Sequence, residues 1–357
     1  MELERRISYL AEACENWLHE ENAYLQEAVE RTVDEGYFSL PDVRNALQAL
    51  RRSCTPEGLR TWVERAGLEE GHAPAPLTLC LHAGNLPLVG MQDALAVLLG
   101  GGRYSGKISR KDPYLMPTFL NEVKKTAGWN DRQVQWTHRL SDFEGMAHEA
   151  VLFAGSERSV PPVRRAVEEG DMASRDARFL VRTAGFSLAW VDRRDPRVME
   201  DLTEAVFRYG GMGCRSVAVV VAPWPLDEIK CEWTDYIESF WLENPQYLQP
   251  GPALRHRFAY NKAVERPQAW LDHFLVQEGG LELDRDFICY WVQGDEETVA
   301  DLAGQFGPRL QSVYLPHPEA EVPGWAERSE YLTDAQSPPL HWKPDGTDPL
   351  RWLTRQA

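Results

Sequence analysis

Leu77-Thr78-Leu79-Cys80-Leu81-His82-Ala83-Gly84-Asn85-Leu86-Pro87-Leu88-Val89-Gly90 leads directly into the apolar run Met91 to Leu99. Leu77 to Leu81 has the length and apolar character of a buried strand. Met91 to Leu99 reads as an apolar helix stopped by Gly100-Gly101-Gly102. The Gly-, Asn- and Pro-bearing stretch between them is a loop at the carboxyl end of the strand. Strand, loop and helix in that order open a βαβ unit, whose strands pair in parallel beneath a layer of helices.

The pattern continues downstream. Gly106 to Ser109 is strand-like, Asp112-Pro113 opens a helix to about Gly128, Gln133 to Thr137 alternates, and Ala150 to Ala154 is a buried strand. Gly155-Ser156 then makes a turn into a helix-compatible stretch ending near Gly170. A second set starts near Ser187: a strand to Val191, a helix capped by Asp195-Pro196, the strand Val217 to Ala222, a helix from about Leu226 to Leu242, and the strand Phe287 to Val292. The remainder, rich in Pro, Trp and charge, reads as irregular wrapping. Upstream, Ile7, Leu10, Ala11, Cys14, Trp17 and Leu18 follow helical spacing, extended by Leu25, Val29 and Val33. Ser39 with Asp42, and Thr55 with Pro56, mark two further helix starts. Residues 67–76 form a linker. The expected class is α/β, with a helical N-terminal unit.

At 357 residues the chain exceeds the size at which one core stops growing, which predicts two packed domains. The charged start and the lack of a long apolar run predict no signal peptide and no membrane span. Six scattered cysteines, with no Cys-x-x-Cys pair and no grouping with histidine, argue against a structural metal or a disulfide framework and favour the reducing cytoplasm. A net charge of −17 repels phosphate backbones, so nucleic acid is not an expected partner. Against that background Arg103, Lys107, Arg110 and Lys111 fall close together in sequence, and arginines recur from 158 to 197. Solvated helix faces and a pocket for a phosphorylated cofactor both accommodate them.

Several residues are placed to do chemistry. Ligands of open α/β sheets bind beyond the carboxyl ends of strands, where the Asn85 loop lies. The Asn85 amide suits an oxyanion there, and an Asx turn ahead of Pro87 is the structural alternative. Lys107 and Ser109 close the next strand at the same edge and suit a ribose or phosphate. Gly155-Ser156 makes a strand-to-helix turn of the kind that attracts phosphate. Cys214 lies in Phe207-Arg208-Tyr209-Gly210-Gly211-Met212-Gly213-Cys214-Arg215-Ser216, where glycines clear space around the thiol. It is either a nucleophile presented on a loop or a small filler at a strand start. His82 is a proton donor or a structural residue, and a solvated face accounts for His148, Glu144 and Glu149.

Taken together, Gly84-Asn85-Leu86-Pro87-Leu88-Val89-Gly90, Lys107-Ile108-Ser109-Arg110-Lys111-Asp112-Pro113, Gly155-Ser156 and Gly213-Cys214-Arg215-Ser216 resemble, in that order, the acyl-CoA reductases of the LuxC type, in the aldehyde dehydrogenase superfamily. The resemblance extends to Tyr37-Phe38-Ser39, Tyr260-Asn261-Lys262 and Ala335-Gln336-Ser337-Pro338. It implies an aldehyde-dehydrogenase-like fold divided into a helical unit at 1–72, a nicotinamide-cofactor-binding open-sheet domain at 73–188, an α/β catalytic domain at 189–340 and a tail at 341–357. It implies Cys214 as nucleophile and Asn85 as oxyanion-binding residue. Lys107 with Ser109 would lie at the adenosine ribose or 2′-phosphate of NADPH, with Gly155-Ser156 packed against that cofactor, and no metal is required. Arg182 aligns with the glutamate that activates water in ordinary aldehyde dehydrogenases. The implied reaction is reduction of a fatty acyl-CoA or other acyl thioester to the aldehyde. Alternatives are reduction of an acyl group from acyl carrier protein or a partner, and a non-catalytic binding protein on the same fold. A homo-oligomer or an acyl-supplying partner fits the same reading. The chain departs from the resemblance at Leu332-Thr333-Asp334, ahead of Gln336-Ser337-Pro338. Met212 and Phe207 either line an acyl pocket or pack in the core.

Overall fold

The computed structural model describes residues 2–245, 252–270, 274–283 and 288–355. The chain divides into two compact units, Met1–Thr183 with Pro338–Ala357, and Ala184–Ser337.

The first unit begins with four helices: α1 (Leu3–Leu18), α2 (Ala23–Asp34), α3 (Leu40–Ser53) and α4 (Pro56–Ala66). The apolar spacing that reads as one extended segment is broken after Leu18, because the Asn22 side chain accepts the amides of Tyr24 and Leu25 and starts a new helix. Ser39 caps α3 through the Asp42 amide, and Thr55 caps α4 through the Gly58 amide. Such caps are worth about 1 kcal/mol each. Strands and helices then alternate: β1 (Leu77–Leu81), α5 (Met91–Leu99), β2 (Arg103–Lys107), α6 (Leu115–Ala127), β3 (Val134–Thr137), β4 (His148–Ala154), α7 (Val160–Glu169) and β5 (Ala173–Arg182). The sheet is parallel, in the order β3-β2-β1-β4-β5. Its final strand, β5, is an addition to the sequence reading.

α1 to α4 do not form a core of their own. Ile7, Leu10, Trp17 and Trp62 share one apolar cluster with Leu95 and Leu98 of α5 and with Leu120 of α6. The closing segment joins them through Leu350 and Leu353.

The second unit contains β6 (Phe186–Trp190), α8 (Pro196–Phe207), β7 (Val217–Ala222), α9 (Leu226–Glu243), α10 (Pro252–Ala263), β8 (Gln268–Trp270), β9 (Leu275–Glu278), β10 (Ile288–Gln293), α11 (Glu296–Phe306), β11 (Leu310–Leu315) and β12 (Ser329–Tyr331). Pro349–Thr354, back in the first unit, is α12. The second sheet has seven strands in the order β12-β11-β6-β7-β10-β9-β8, antiparallel only at the β8 edge. β7 lies at its centre and is apolar throughout, as a strand covered on both faces requires. Phe287, included in the sequence-based strand, lies outside the described residues. The segment read as irregular wrapping contains α11, β11, β12 and α12, so that expectation is corrected. Asp295 and Thr298 form a reciprocal capping box at the start of α11.

Candidate functional site

In the first unit, Leu81, Lys107 and Phe153 are register neighbours, so the chain leaves β1, β2 and β4 along one edge of the sheet. The Asn85 loop follows β1, Ser109 follows β2, and Gly155-Ser156 follows β4. Arg103, close to Lys107 in sequence, sits opposite Leu77 at the other end of β2, and the strand thus separates it from Lys107.

The Asn85 loop is held from below. Leu88 adopts φ +59°, and its amide donates to Asp112 Oδ2 at 2.8 Å. A Cβ on Gly90 would meet His82 Nδ1 at 2.2 Å, and one on Gly84 would meet Ser109 Oγ at 2.0 Å. Both glycines are therefore needed for close approach, and the second seats the loop directly against Ser109. Asn85 itself is exposed. The Ser109 hydroxyl accepts the Lys111 amide at 3.2 Å and orders the turn to Asp112. His82 is buried, with Nε2 2.6 Å from the Tyr104 hydroxyl. Burial pushes its imidazole down to about 4, further than Asp93 raises it, so it is neutral at physiological pH. That is the structural alternative. Burial raises Asp112 to about 6 against the amide bonds that favour its charge.

Lys107 is half-buried at the end of β2. Burial, then the Arg110 charge, lowers its ammonium from the ordinary value. The Gly155 amide donates to the Arg182 carbonyl at 3.1 Å, and Ser156 Oγ lies 2.6 Å from Ser159 Oγ. Arg182, the last residue of β5, is buried and pairs through both terminal nitrogens with Asp93 of α5 at 2.8 and 2.5 Å. A cation locked in this way cannot activate water. His148 is fully buried, its Nδ1 2.6 Å from the Met172 carbonyl, which corrects the solvated-face expectation for that residue.

In the second unit, the run before β7 turns sharply. Tyr209 and Gly210 both take left-handed conformations, φ +58° and +64°, and Gly211 follows at +70°. The Ser216 amide then donates to the Gly213 carbonyl at 2.9 Å, and the Gly213 amide to Ser216 Oγ at 3.1 Å. Cys214 and Arg215 occupy the middle of this turn. Cys214 is partly exposed, and its carbonyl accepts the Ser187 hydroxyl at 3.0 Å. Four other cysteines, 14, 54, 80 and 289, are buried, and Cys231 is exposed on α9. Burial, then Asp93, pushes the Cys80 thiol well up, and burial alone pushes up Cys289. Thiols held protonated in this way are inert.

Arg215 points inward. Its Nε donates to the Ala335 carbonyl and its Nη2 to the Asp334 carbonyl, both at 2.8 Å, and Nη2 pairs with Glu330 at 2.7 Å. Burial opposes the charge, but Tyr314 and Glu330, with the Cys214 sulfur after them, outweigh it and hold the guanidinium above its ordinary value. Glu330 also accepts the Ser312 hydroxyl, and the Tyr314 side chain, buried beside Ser187 and Arg215, is pushed up by burial. The sequence reading missed Ser187, Tyr314 and Glu330, which come from β6, β11 and β12, three strands distant from Cys214 along the chain. Of Leu332-Thr333-Asp334, Asp334 meets Arg215 through its main-chain carbonyl, and burial raises its carboxyl further than the Arg215 charge lowers it. Phe207 is fully buried among Trp233, Phe240, Trp241 and Phe274, whereas Met212 is 54% exposed.

At the first sheet's edge the Arg110 charge acts on Lys107, and this pair of cations has the chemistry to hold the phosphate of a dinucleotide. Among the described residues no group of three or more His, Cys, Asp or Glu could hold a metal ion, and no helix is long and apolar enough to cross a membrane.

No family model matches the chain, and no curated protein matches it. Solved structures do. It is similar to 1-pyrroline-5-carboxylate dehydrogenase from Thermus with bound NAD (TM-score 0.65, 13% identity), covering 99% of this chain and 80% of that one. It is similar to aldehyde dehydrogenase 21 from Physcomitrella patens in complex with succinate (TM-score 0.61, 11% identity), covering 89% and 74%. It also matches proline utilization A from Bradyrhizobium japonicum (TM-score 0.61, 13% identity), covering 88% of this chain but only 36% of that longer one. Across such low identities what is shared is architecture, and the fold of this chain is that of the aldehyde dehydrogenases.

Proposed function

We propose that the chain is an acyl-thioester reductase in which Cys214 takes the acyl group of a fatty acyl-CoA, or of another thioester, and releases it as the aldehyde. The observation that carries this reading is the presentation of Cys214, a partly exposed thiol in the middle of the hydrogen-bonded turn from Gly213 to Ser216, which follows three left-handed residues. Cys214 Sγ forms the new carbon–sulfur bond, and the electron pair of the broken thioester leaves on the CoA sulfur, which takes up a proton. The Cys214 main-chain N–H donates to the carbonyl oxygen as negative charge collects there, a contribution of about 3 kcal/mol per donor in a dry site, and Asn85 is the oxyanion-binding residue that the resemblance implies. Lys107 and Ser109 hold the adenosine ribose with its 2′-phosphate, and Gly155-Ser156 packs against the same cofactor. NADPH, when bound, supplies the hydride that converts acyl to aldehyde. Arg182, which the resemblance aligns with the water-activating glutamate, is tied to Asp93. Hydrolysis of the acyl-cysteine is accordingly slow, and the acyl group is kept for reduction.

Intact mass measured after incubation with an acyl-CoA and no nucleotide tests this. The expected result is a single acyl adduct that is absent from the Cys214→Ala protein. An adduct formed only from acyl carrier protein would change the donor and keep the chemistry. No adduct from either donor would leave a non-catalytic binding protein.

A further inference from the structure

The first unit contains a cavity of about 540 Å³ lined by Arg65, Arg178, Lys343, Asp348, Arg351 and Arg355, among others. It shares no residue with the Asn85 loop, with Lys107 to Ser109 or with Gly155-Ser156. The chain has 55 acidic residues against 38 lysines and arginines, so cations on its surface have abundant partners. Yet among the described residues no ion pair engages Arg65, Arg351 or Arg355. Asp348 is the one acid in the lining, and it is already committed: Oδ1 accepts Trp62 Nε1 at 3.0 Å and the amides of Leu350 at 2.9 Å and Arg351 at 3.3 Å.

The wall is built, not incidental. Arg178 of β5 stacks 4.7 Å over the Trp352 ring and donates to the carbonyls of Trp352 at 3.0 Å, Leu353 at 3.2 Å and Arg355 at 3.1 Å. That fixes the main chain from which Arg351 and Arg355 project. Like charges gathered around one concavity repel one another unless an anion sits among them. Guanidinium forks match phosphate oxygens two at a time, and the volume lies within the range that holds drug-sized ligands. We propose that this cavity binds an organic polyphosphate of nucleotide size, at a site separate from the proposed cofactor site.

Calorimetric titration of the full chain with ADP and with inorganic pyrophosphate tests the site. Both are expected to bind saturably, and the Arg351→Gln/Arg355→Gln protein to bind each at least about tenfold more weakly, since one charge-assisted hydrogen bond is worth about that factor. The Arg158→Gln/Arg165→Gln protein, which removes equal charge beside and on α7, is expected to bind as the parent does. The proposal is overturned by the absence of binding of either probe at millimolar concentration, or by equal weakening in that control. It is also overturned if Lys107→Ala abolishes binding while the Arg351/Arg355 variant keeps it, because the probe then occupies the strand-end site.

Discussion

The two units place their candidate chemistry at opposite ends of parallel strands. In the first, Asn85, Ser109 and Gly155 follow the strands; in the second, Cys214 precedes β7. The first position is the general one for open α/β sheets, where loops beyond the carboxyl ends form the binding crevice. The second must be built against that tendency, and the means differ accordingly. The Asn85 loop rests on a neutral imidazole, a carboxyl that accepts an amide, and two glycines. The Cys214 turn rests on a buried guanidinium, its carboxylate and two carbonyls. One support is steric, the other electrostatic.

That contrast breaks first at Arg215. Arg215→Met leaves Glu330 without its cation, and removing one member of a buried pair costs about 3–5 kcal/mol. Glu330 keeps 22% side-chain exposure and recovers some hydration, so about 3 kcal/mol is the expected loss. Arg215→Met/Glu330→Gln should recover part of it, because no charge is then stranded. Peptide-resolved hydrogen exchange should show the loss across β6, β7, β11 and β12 and none in β1 or β2. Protection lost equally in both units would remove the distinction.

The steric support is tested by Gly90→Ala, where the added methyl would stand 2.2 Å from His82 Nδ1. Gly90 has φ −84°, so the whole cost is overpacking, about 2 kcal/mol, confined to the first unit. In Gly211→Ala the added Cβ meets Phe274 at only 3.1 Å, and φ of +70° adds backbone strain. The expected cost there is about 1–2 kcal/mol. If Gly90→Ala proves neutral by urea unfolding, the loop does not depend on close approach.

The same contrast explains what was legible in the sequence. β1, α5 and β7 are bounded apolar runs, and Ser39, Thr55 and Asp195 are caps whose side chains take the expected amides. β5 escaped because it is an edge strand carrying Arg175, Asp176 and Arg178, with no continuous apolar run to mark it. β11 is wholly buried but contains Gln311 and Ser312, and the prolines and tryptophans around it hide its pattern. Within the candidate site, the glycines flanking Cys214 announce a turn. Ser187, Tyr314 and Glu330 carry no local mark, since only the order of strands in the sheet brings them under it.

The smallest effect is a pH dependence of the first unit. His82 falls from an ordinary 6.5 to about 4 in the folded chain, so the unfolded chain binds more protons in that window. Its contribution to stability is complete above about pH 6.5 and is lost as pH falls toward 4. Asp112 runs the other way, from an ordinary 3.8 to about 6. Its buried carboxylate is a penalty above pH 6, relieved as the folded chain takes up its proton. Between pH 7 and 5 the two trends offset each other. Asp112→Asn keeps an acceptor for the Leu88 amide and removes the relief, so the losses from His82 and from His148, which burial lowers likewise, are unopposed in the first unit. With Asp112 moved from 3.8 to about 6, the variant should lose about 1 kcal/mol more than the parent protein between pH 7 and 5. Asp201, raised to about 6 in the second unit, titrates alike in both proteins and cancels from the difference. Urea midpoints of the first unit at the two pH values measure it. Parallel pH profiles would show that the Asn85 loop is not held over a neutral imidazole and a protonating carboxyl, and its support would then be no less electrostatic than that of Cys214.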